Sequence, residues 1–396
     1  MFWKVLTGSI AVFSAAVFGL YQAFGPENNP ERSTSPIAYA AGVMRAMEQV
    51  QYNPKPAVES VKPIPELIQR NQMDELSRYE VLNGDGLETL NKLAEPLRSG
   101  RVKGASGVWR LSFFYGGLEQ ANMLRYQMVE EGDRFKKIFD EWQAKNLASP
   151  TPYILKAYVL KRQAAYSIYT LQNLGEPEAR HERIMEPIRQ QLKTQLSRQL
   201  KVLKTYIDRP NEIAESDPGW YQVKLSALAM TCQPFEEMWS VLEAGTRKFP
   251  DYYDLYNTAF EAGTVCNSID ARTLIDMIID LGTRRTEHIK GSGYYARAIW
   301  FLGSQYTLRE VLDPAFTDWR RMKDGIGDIL SVYPDVWNIN HFAKFACIGG
   351  QFEIARELLP RAKSHVAPSV WSRDYTLDNC ITQIQSAANA GSQNLQ

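Results

Sequence analysis

The sequence predicts an all-α protein: stacked helical hairpins behind an N-terminal transmembrane helix. Three observations carry this. From about residue 64 onward, apolar residues recur at helical spacing, and no stretch alternates as a strand would. Residues 5–24, VLTGSIAVFSAAVFGLYQAF, carry no charge over 20 positions; at ~1.5 Å per residue such a helix spans the roughly 30 Å hydrocarbon core. Residues 342–362, FAKFACIGGQFEIARELLPRA, place small side chains at Ala343, Ala346, Gly350, Ala355 and Ala362. Two closely crossing helices and the turn between them need that pattern.

The N-terminal element comes first. Lys4 precedes the apolar run, while Glu27, Glu31 and a single Arg32 follow it. By the positive-inside rule the N-terminus faces the cytoplasm and the body lies outside, in a bacterial periplasm. The alternative is a cleaved signal peptide, but its apolar region is usually about 7–15 residues, shorter than this one. Ala11, Ala15 and Gly19 also give the segment a small-residue face.

Residues 25–63 read as a linker containing one short helix, IAYAAGVMRAMEQV, and only its first part, 25–36, is rich in Pro, Asn and Ser. Residues 64–210 form an N-terminal helical part and 211–390 a C-terminal part of hairpins. Helical runs such as PYILKAYVLKRQAAYSIYTLQNLG are separated by short Gly, Pro, Asn or Asp punctuation, which forces antiparallel neighbours. The longest run, 178–207, sets Ile188, Leu192, Leu196, Leu200, Leu203 and Ile207 on one stripe. Arg189, Lys193, Arg198, Lys201 and Lys204 accompany it with no acid between. That face suits anionic lipid or an acidic partner, or it is simply a solvated surface. Pro187 belongs near the start of this helix or kinks it.

The unit at 342–362 resembles the tetratricopeptide repeat, a helical hairpin of about 34 residues. Ala343, Ala355 and Ala362 occupy that family's small positions, although Ala346 stands where it carries an aromatic. A weaker copy, YQVKLSALAMTCQPFEEMWSVLEAGTRKFP, has Met238 in place of the central alanine. The junctions FPDYYDLYNTAF and YPDVWNINHFAKFA also match. The resemblance covers 217–385 and implies stacked hairpins with a concave binding surface. SGVWRLSFFYGGLE, DPGWYQVKLSALA and GSGYYARAIWFL are similar to recurring blocks of an uncharacterised bacterial helical-repeat family. That likeness implies one domain over nearly all of 64–385, and no activity.

Chemistry is sparse. The 45 basic and 45 acidic residues cancel, so no field draws nucleic acid. Four His and four Cys without a CxxC leave no metal site or cofactor to expect. HExxH, GxSxG, GxxxxGK[ST] and GxGxxG are absent, and His181 and Glu182 are adjacent, so they point apart on a helix. The cysteines fall into pairs about one repeat apart, Cys232 with Cys266 and Cys347 with Cys380. They are disulfide candidates, or independent buried thiols. The function expected is a membrane-anchored scaffold that binds a protein or peptide, with Tyr252, Tyr253, Tyr333 and Trp337 as partner-binding aromatics. The alternative is an all-helical enzyme acting on envelope polymers.

Overall fold

A computed structural model describes residues 86–120, 132–173, 182–209, 211–263, 269–371 and 375–393. The expected membrane segment at 5–24 and the linker at 25–63 lie outside them. Among the described residues there are 15 α-helices and no strand, and no helix is long and apolar enough to cross a membrane.

The helices are α1 (Gly86–Ser99), α2 (Arg110–Gln120), α3 (Gly132–Lys145), α4 (Thr151–Asn173), α5 (Glu182–Ile207), α6 (Pro218–Met230), α7 (Phe235–Lys248) and α8 (Asp254–Gly263). Then follow α9 (Ala271–Lys290), α10 (Gly293–Gln305), α11 (Leu308–Val311), α12 (Trp319–Val332), α13 (Val336–Ile348), α14 (Phe352–Ser364) and α15 (Leu377–Gln393). They form two compact units. In the described residues the first comprises 86–102 and Trp109–Ile278, and the second Lys103–Val108 and 279–393. The division falls within α9. The reason is packing: α6 lies against α4, α5, α7 and α8, which ties the chain after residue 211 to what precedes it.

In the first unit α1 buries Leu87, Leu90, Leu93, Ala94 and Leu97, an i, i+3, i+4 stripe that sets its inward face. Asp217 caps α6 by accepting from Gly219 N, and Pro218 occupies the first turn, where a missing N–H costs nothing. A Cβ on Gly219 would sit 2.5 Å from the Tyr115 ring, so only glycine lets that ring lie against the helix start. The same carboxylate anchors a buried network. Tyr115 OH donates to Asp217 Oδ2 at 2.7 Å, and Arg98 Nε donates to the same oxygen. Arg98 also reaches Thr151 Oγ1 at 2.7 Å and Glu95 Oε2 at 2.5 Å. Four helices, α1, α2, α4 and α6, are thus joined through one guanidinium and one carboxylate.

Burial alone would lower the pKa of Arg98, but its contacts with Tyr115 and Asp217 raise it instead. Burial raises that of Asp217, against the pull of Arg98. Arg98 Nε, Tyr115 OH and Gly219 N all donate to Asp217, so the geometry holds the carboxylate form.

Two hairpins show the same turn. Between α13 and α14, Gln351 N bonds Ala346 O at 2.8 Å and Gly350 N bonds Cys347 O at 3.1 Å. This is a Schellman closure with Gly350 at φ 69°. Between α6 and α7, Gln233 N bonds Leu228 O at 3.0 Å and Cys232 N bonds Ala229 O at 3.1 Å. Here Cys232 takes the left-handed place at φ 49°. Each second junction also repeats: Phe249 and Tyr333 end α7 and α12 at nearly the same dihedrals, −133°, 65° and −128°, 67°. Ala343 and Ala355 are both fully buried where α13 packs along α14.

In the second unit the segment 103–108 lies across α10 and α13. The Ser106 carbonyl accepts from Arg297 and from Asn338 Nδ2, the latter at 3.2 Å. Lys290 Nζ donates to Gly107 O at 3.4 Å. Cys347 of α13 is disulfide-bonded to Cys380 of α15 with Cα atoms 5.5 Å apart. Cys232 is also disulfide-bonded, while Cys266 lies outside the described residues. Pro187 sits inside α5, in its second turn.

Two outcomes follow from this packing. Ala355→Leu overfills the α13–α14 crossing and lowers stability by about 1–3 kcal/mol in denaturant unfolding. Asp217→Asn removes the buried counterion of Arg98 and leaves it only the solvent-exposed Glu95, which costs about 3 kcal/mol by the same measurement.

Candidate functional site

Of the four aromatics expected to meet a partner, three are core residues. Tyr252 is 0%, Tyr253 6% and Tyr333 8% exposed. Tyr252 packs edge-on against Trp109, 5.5 Å between ring centres, and the Lys290 ammonium covers the Tyr333 ring at 4.9 Å. Both rings are enclosed by distant parts of the chain, and a Cβ on Gly107 would sit 2.6 Å from the Tyr333 ring. Trp337 alone of the four is half-exposed.

Trp337 belongs to a different assembly. On α13, Trp337, His341 and Phe345 follow one another at successive turns, and α10 presents Arg297 and Trp300 beside them. The His341 ring stacks on Trp300 with centres 4.1 Å apart and planes 26° apart. Trp337 lies 4.2 Å from the same imidazole and Phe345 5.8 Å from it. Phe342 supports Trp300 from beneath, edge-on at 5.5 Å. Phe342 and Phe345 are buried, whereas Arg297, Trp300, Trp337, His341 and Lys344 are half-exposed. The result is an aromatic strip with a packed floor and a partly open top.

Its electrostatics are positive. The Arg297 guanidinium lies 5.2 Å over the Trp300 ring, a cation–π arrangement, and also donates to Asn338 Oδ1 at 3.0 Å. Lys344 Nζ donates to Val370 O at 2.8 Å. His341 itself is uncharged at neutral pH. Burial pushes its pKa down to about 3, helped by Lys344 and Arg297 and opposed by its bond to the Trp337 carbonyl. That bond, 3.0 Å from His341 Nδ1 to Trp337 O, places the ring proton on Nδ1, since the carbonyl only accepts. His341 is therefore an aromatic plate with an acceptor edge at Nε2. No carboxylate adjoins it to raise its basicity, which argues against a general-base role.

The strip can stack an apolar or aromatic side chain and meet a carboxylate with Arg297 or Lys344. Among the described residues no group of three or more His, Cys, Asp and Glu is placed to hold a metal. His341, Trp300, Arg297 and Lys344 were not foreseen as site residues, although WNINHFAKF already carries Trp337, His341 and Phe345 at i, i+4, i+8. What the sequence lacks is any sign that α10 would supply the facing half.

No known family model, curated protein or solved structure matches this chain.

The depressed pKa of His341 has a stability consequence. The unfolded chain takes up this proton below its ordinary value of 6.5, whereas the folded one resists until about 3. Stability from this group is therefore complete above pH 6.5 and falls as pH drops through that window, by at most about 1.4 kcal/mol per pH unit. His341→Phe keeps the plate and flattens this slope, which thermal melts of both proteins between pH 4 and roughly 7 will show.

Proposed function

We propose that this chain is a membrane-anchored helical-repeat scaffold that holds a segment of a protein or peptide partner at the bacterial envelope. The observation that carries the reading is the half-exposed Trp300–His341–Trp337 strip with Arg297 and Lys344 beside it. Aromatic rings and arginine concentrate binding energy when a partner covers them, because they bury much area for little lost rotamer freedom. The occupant such a strip favours is an apolar or aromatic residue flanked by acidic ones.

The uncharged run at 5–24 supports a single-pass anchor in the inner membrane with the bulk of the chain in the periplasm. The Cys347–Cys380 bond fits the same placement, since structural disulfides persist in oxidising compartments. The repeated Schellman turns and junctions support the tetratricopeptide-like reading of the hairpins.

A photo-crosslinking residue substituted for Trp337 in the full chain, expressed in a bacterial membrane, tests the face. It should yield a discrete adduct identified by mass spectrometry. Trp300→Ala should abolish the adduct while leaving the melting curve within a few degrees of the parent. An adduct equally strong from a control position on α14 would sink the proposal. In the same membranes, peptides beginning at Met1 or Phe2 are expected, and an N-terminus near residue 26 would overturn the anchor.

A further inference from the structure

The α4–α5 hairpin is unlike the rest of the first unit. At one end it is part of the core: Ile154, Leu155, Leu203 and Ile207 are buried. Along the outer side of the hairpin burial falls away on both helices. Tyr166 is 38%, Tyr169 51%, Ile188 43% and Val202 47% exposed, and Leu160, Ile168, Leu171, Leu192, Leu196 and Leu200 are only half-buried. The two helices remain aligned, with Ser167 Oγ donating to Gln199 Oε1 at 2.8 Å.

Charge along the described part of this hairpin is mostly basic. The described α4 contains no Asp or Glu, and α5 contains none after Glu186. At the core end the basic residues are used: Lys156 pairs with Asp140, and Lys204 bonds Asp208 and Glu237 at 2.9 and 3.3 Å. Arg189 pairs with Glu186 at 3.4 Å. Lys193, Arg198 and Lys201 are exposed, and none enters an ion pair among the described residues. Arg198 and Val202 lie one turn apart on the same face, so charge and apolar surface are interleaved along the helix.

We infer that the exposed side of the α4–α5 hairpin docks on an anionic phospholipid surface, with Lys193, Arg198 and Lys201 at the headgroup phosphates and Tyr166, Tyr169, Ile188 and Val202 at the interface. Uncompensated lysine and arginine are drawn to such a surface. Exposed tyrosines and aliphatic side chains on the same helices gain from partial burial at headgroup depth, where a ring has one apolar and one wet end. An acidic protein groove would satisfy the charges but demands a matched shape, whereas a two-helix face of exposed basic, aromatic and aliphatic side chains meets an anionic lipid surface without one. Nucleic acid is disfavoured by the disulfide-bonded state of Cys347 and Cys380, which belongs to compartments where nucleic acid is scarce. The inference does not need the 5–24 anchor, because the attraction is a property of the folded hairpin.

The test uses the full chain with two sets of nanodiscs, one of phosphatidylcholine alone and one with roughly a third phosphatidylglycerol, the density at which the surface potential becomes strong. Lysines are acylated with a water-soluble reagent and quantified by mass spectrometry. In anionic discs Lys193 and Lys201 should react several-fold more slowly than in neutral discs, while exposed Lys363 on α14 reacts equally in both. About 1 M salt should erase the difference, since the Debye length shrinks to about 3 Å. The triple variant Lys193→Glu, Arg198→Glu, Lys201→Glu should retain the parent melting curve and lose about 100-fold in affinity for the anionic surface. Equal labelling in the two lipids overturns the inference, as does protection that appears only when native membrane proteins are present, which would assign the face to an acidic protein. The anchor is read separately: failure of the chain to co-elute with neutral discs denies the anchor, and retention on anionic discs alone still supports the hairpin.

Discussion

A charge buried inside helical packing is costly unless it is fully partnered, and the first unit is organised around meeting that demand. Arg98 can stay inside only because Asp217, Glu95 and Thr151 converge on it. Asp217 can stay inside only because Arg98, Tyr115 and Gly219 N saturate it. Apart from Glu95, which shares α1 with Arg98, the partners come from other helices or a cap, so satisfying the charges sets the relative placement of α1, α2, α4 and α6. Apolar contacts between helices tolerate sliding by a fraction of a turn, whereas a hydrogen-bonded guanidinium does not. The exposed side of the α4–α5 hairpin is held in place by this buried network.

The second unit solves a similar problem with different means. Its most connected helix, α13, is packed by α12, α14 and α15 and is joined covalently to the last of these through Cys347. A bond closing 33 residues removes unfolded-state freedom worth about 4 kcal/mol on the chain-entropy account. The side of α13 that carries Trp337, His341 and Lys344 is left partly open. A binding strip works best on an element that does not shift under load, and α13 is so placed.

Much of this was legible in the residues themselves. The all-helical character followed from periodicity, and the α13–α14 hairpin from the spacing of Ala343, Gly350 and Ala355. Pairing across long distances was not legible. Nothing local ties Arg98 to a carboxylate 119 positions away, nor tells that Ile278 ends the first unit. The burial of Tyr252, Tyr253 and Tyr333 was not legible either, because an aromatic at a helix junction looks the same in sequence whether it points out or in. At FPDYY the Tyr252 ring meets Trp109, and at YPDVW the Tyr333 ring meets Gly107 and Lys290, so the covering residues come from far along the chain. His341 was overlooked for the converse reason: a lone histidine acquires meaning only from the Trp300 that a separate helix brings to it.

The segment 103–108 has a further consequence, for the order in which the molecule assembles. Its contacts through Ser106 reach 191 and 232 positions along the chain, to Arg297 and Asn338. A ribosome emits this loop long before the helices that receive it, so it must remain unsatisfied while about two hundred residues are made. Hairpins such as α6–α7 and α13–α14 involve neighbours only and form early, whereas contacts of high sequence separation form slowly. Seating of the loop therefore follows the synthesis of α10 and α13. The N-terminal half of the polypeptide thus supplies a closing piece for a body synthesised after it.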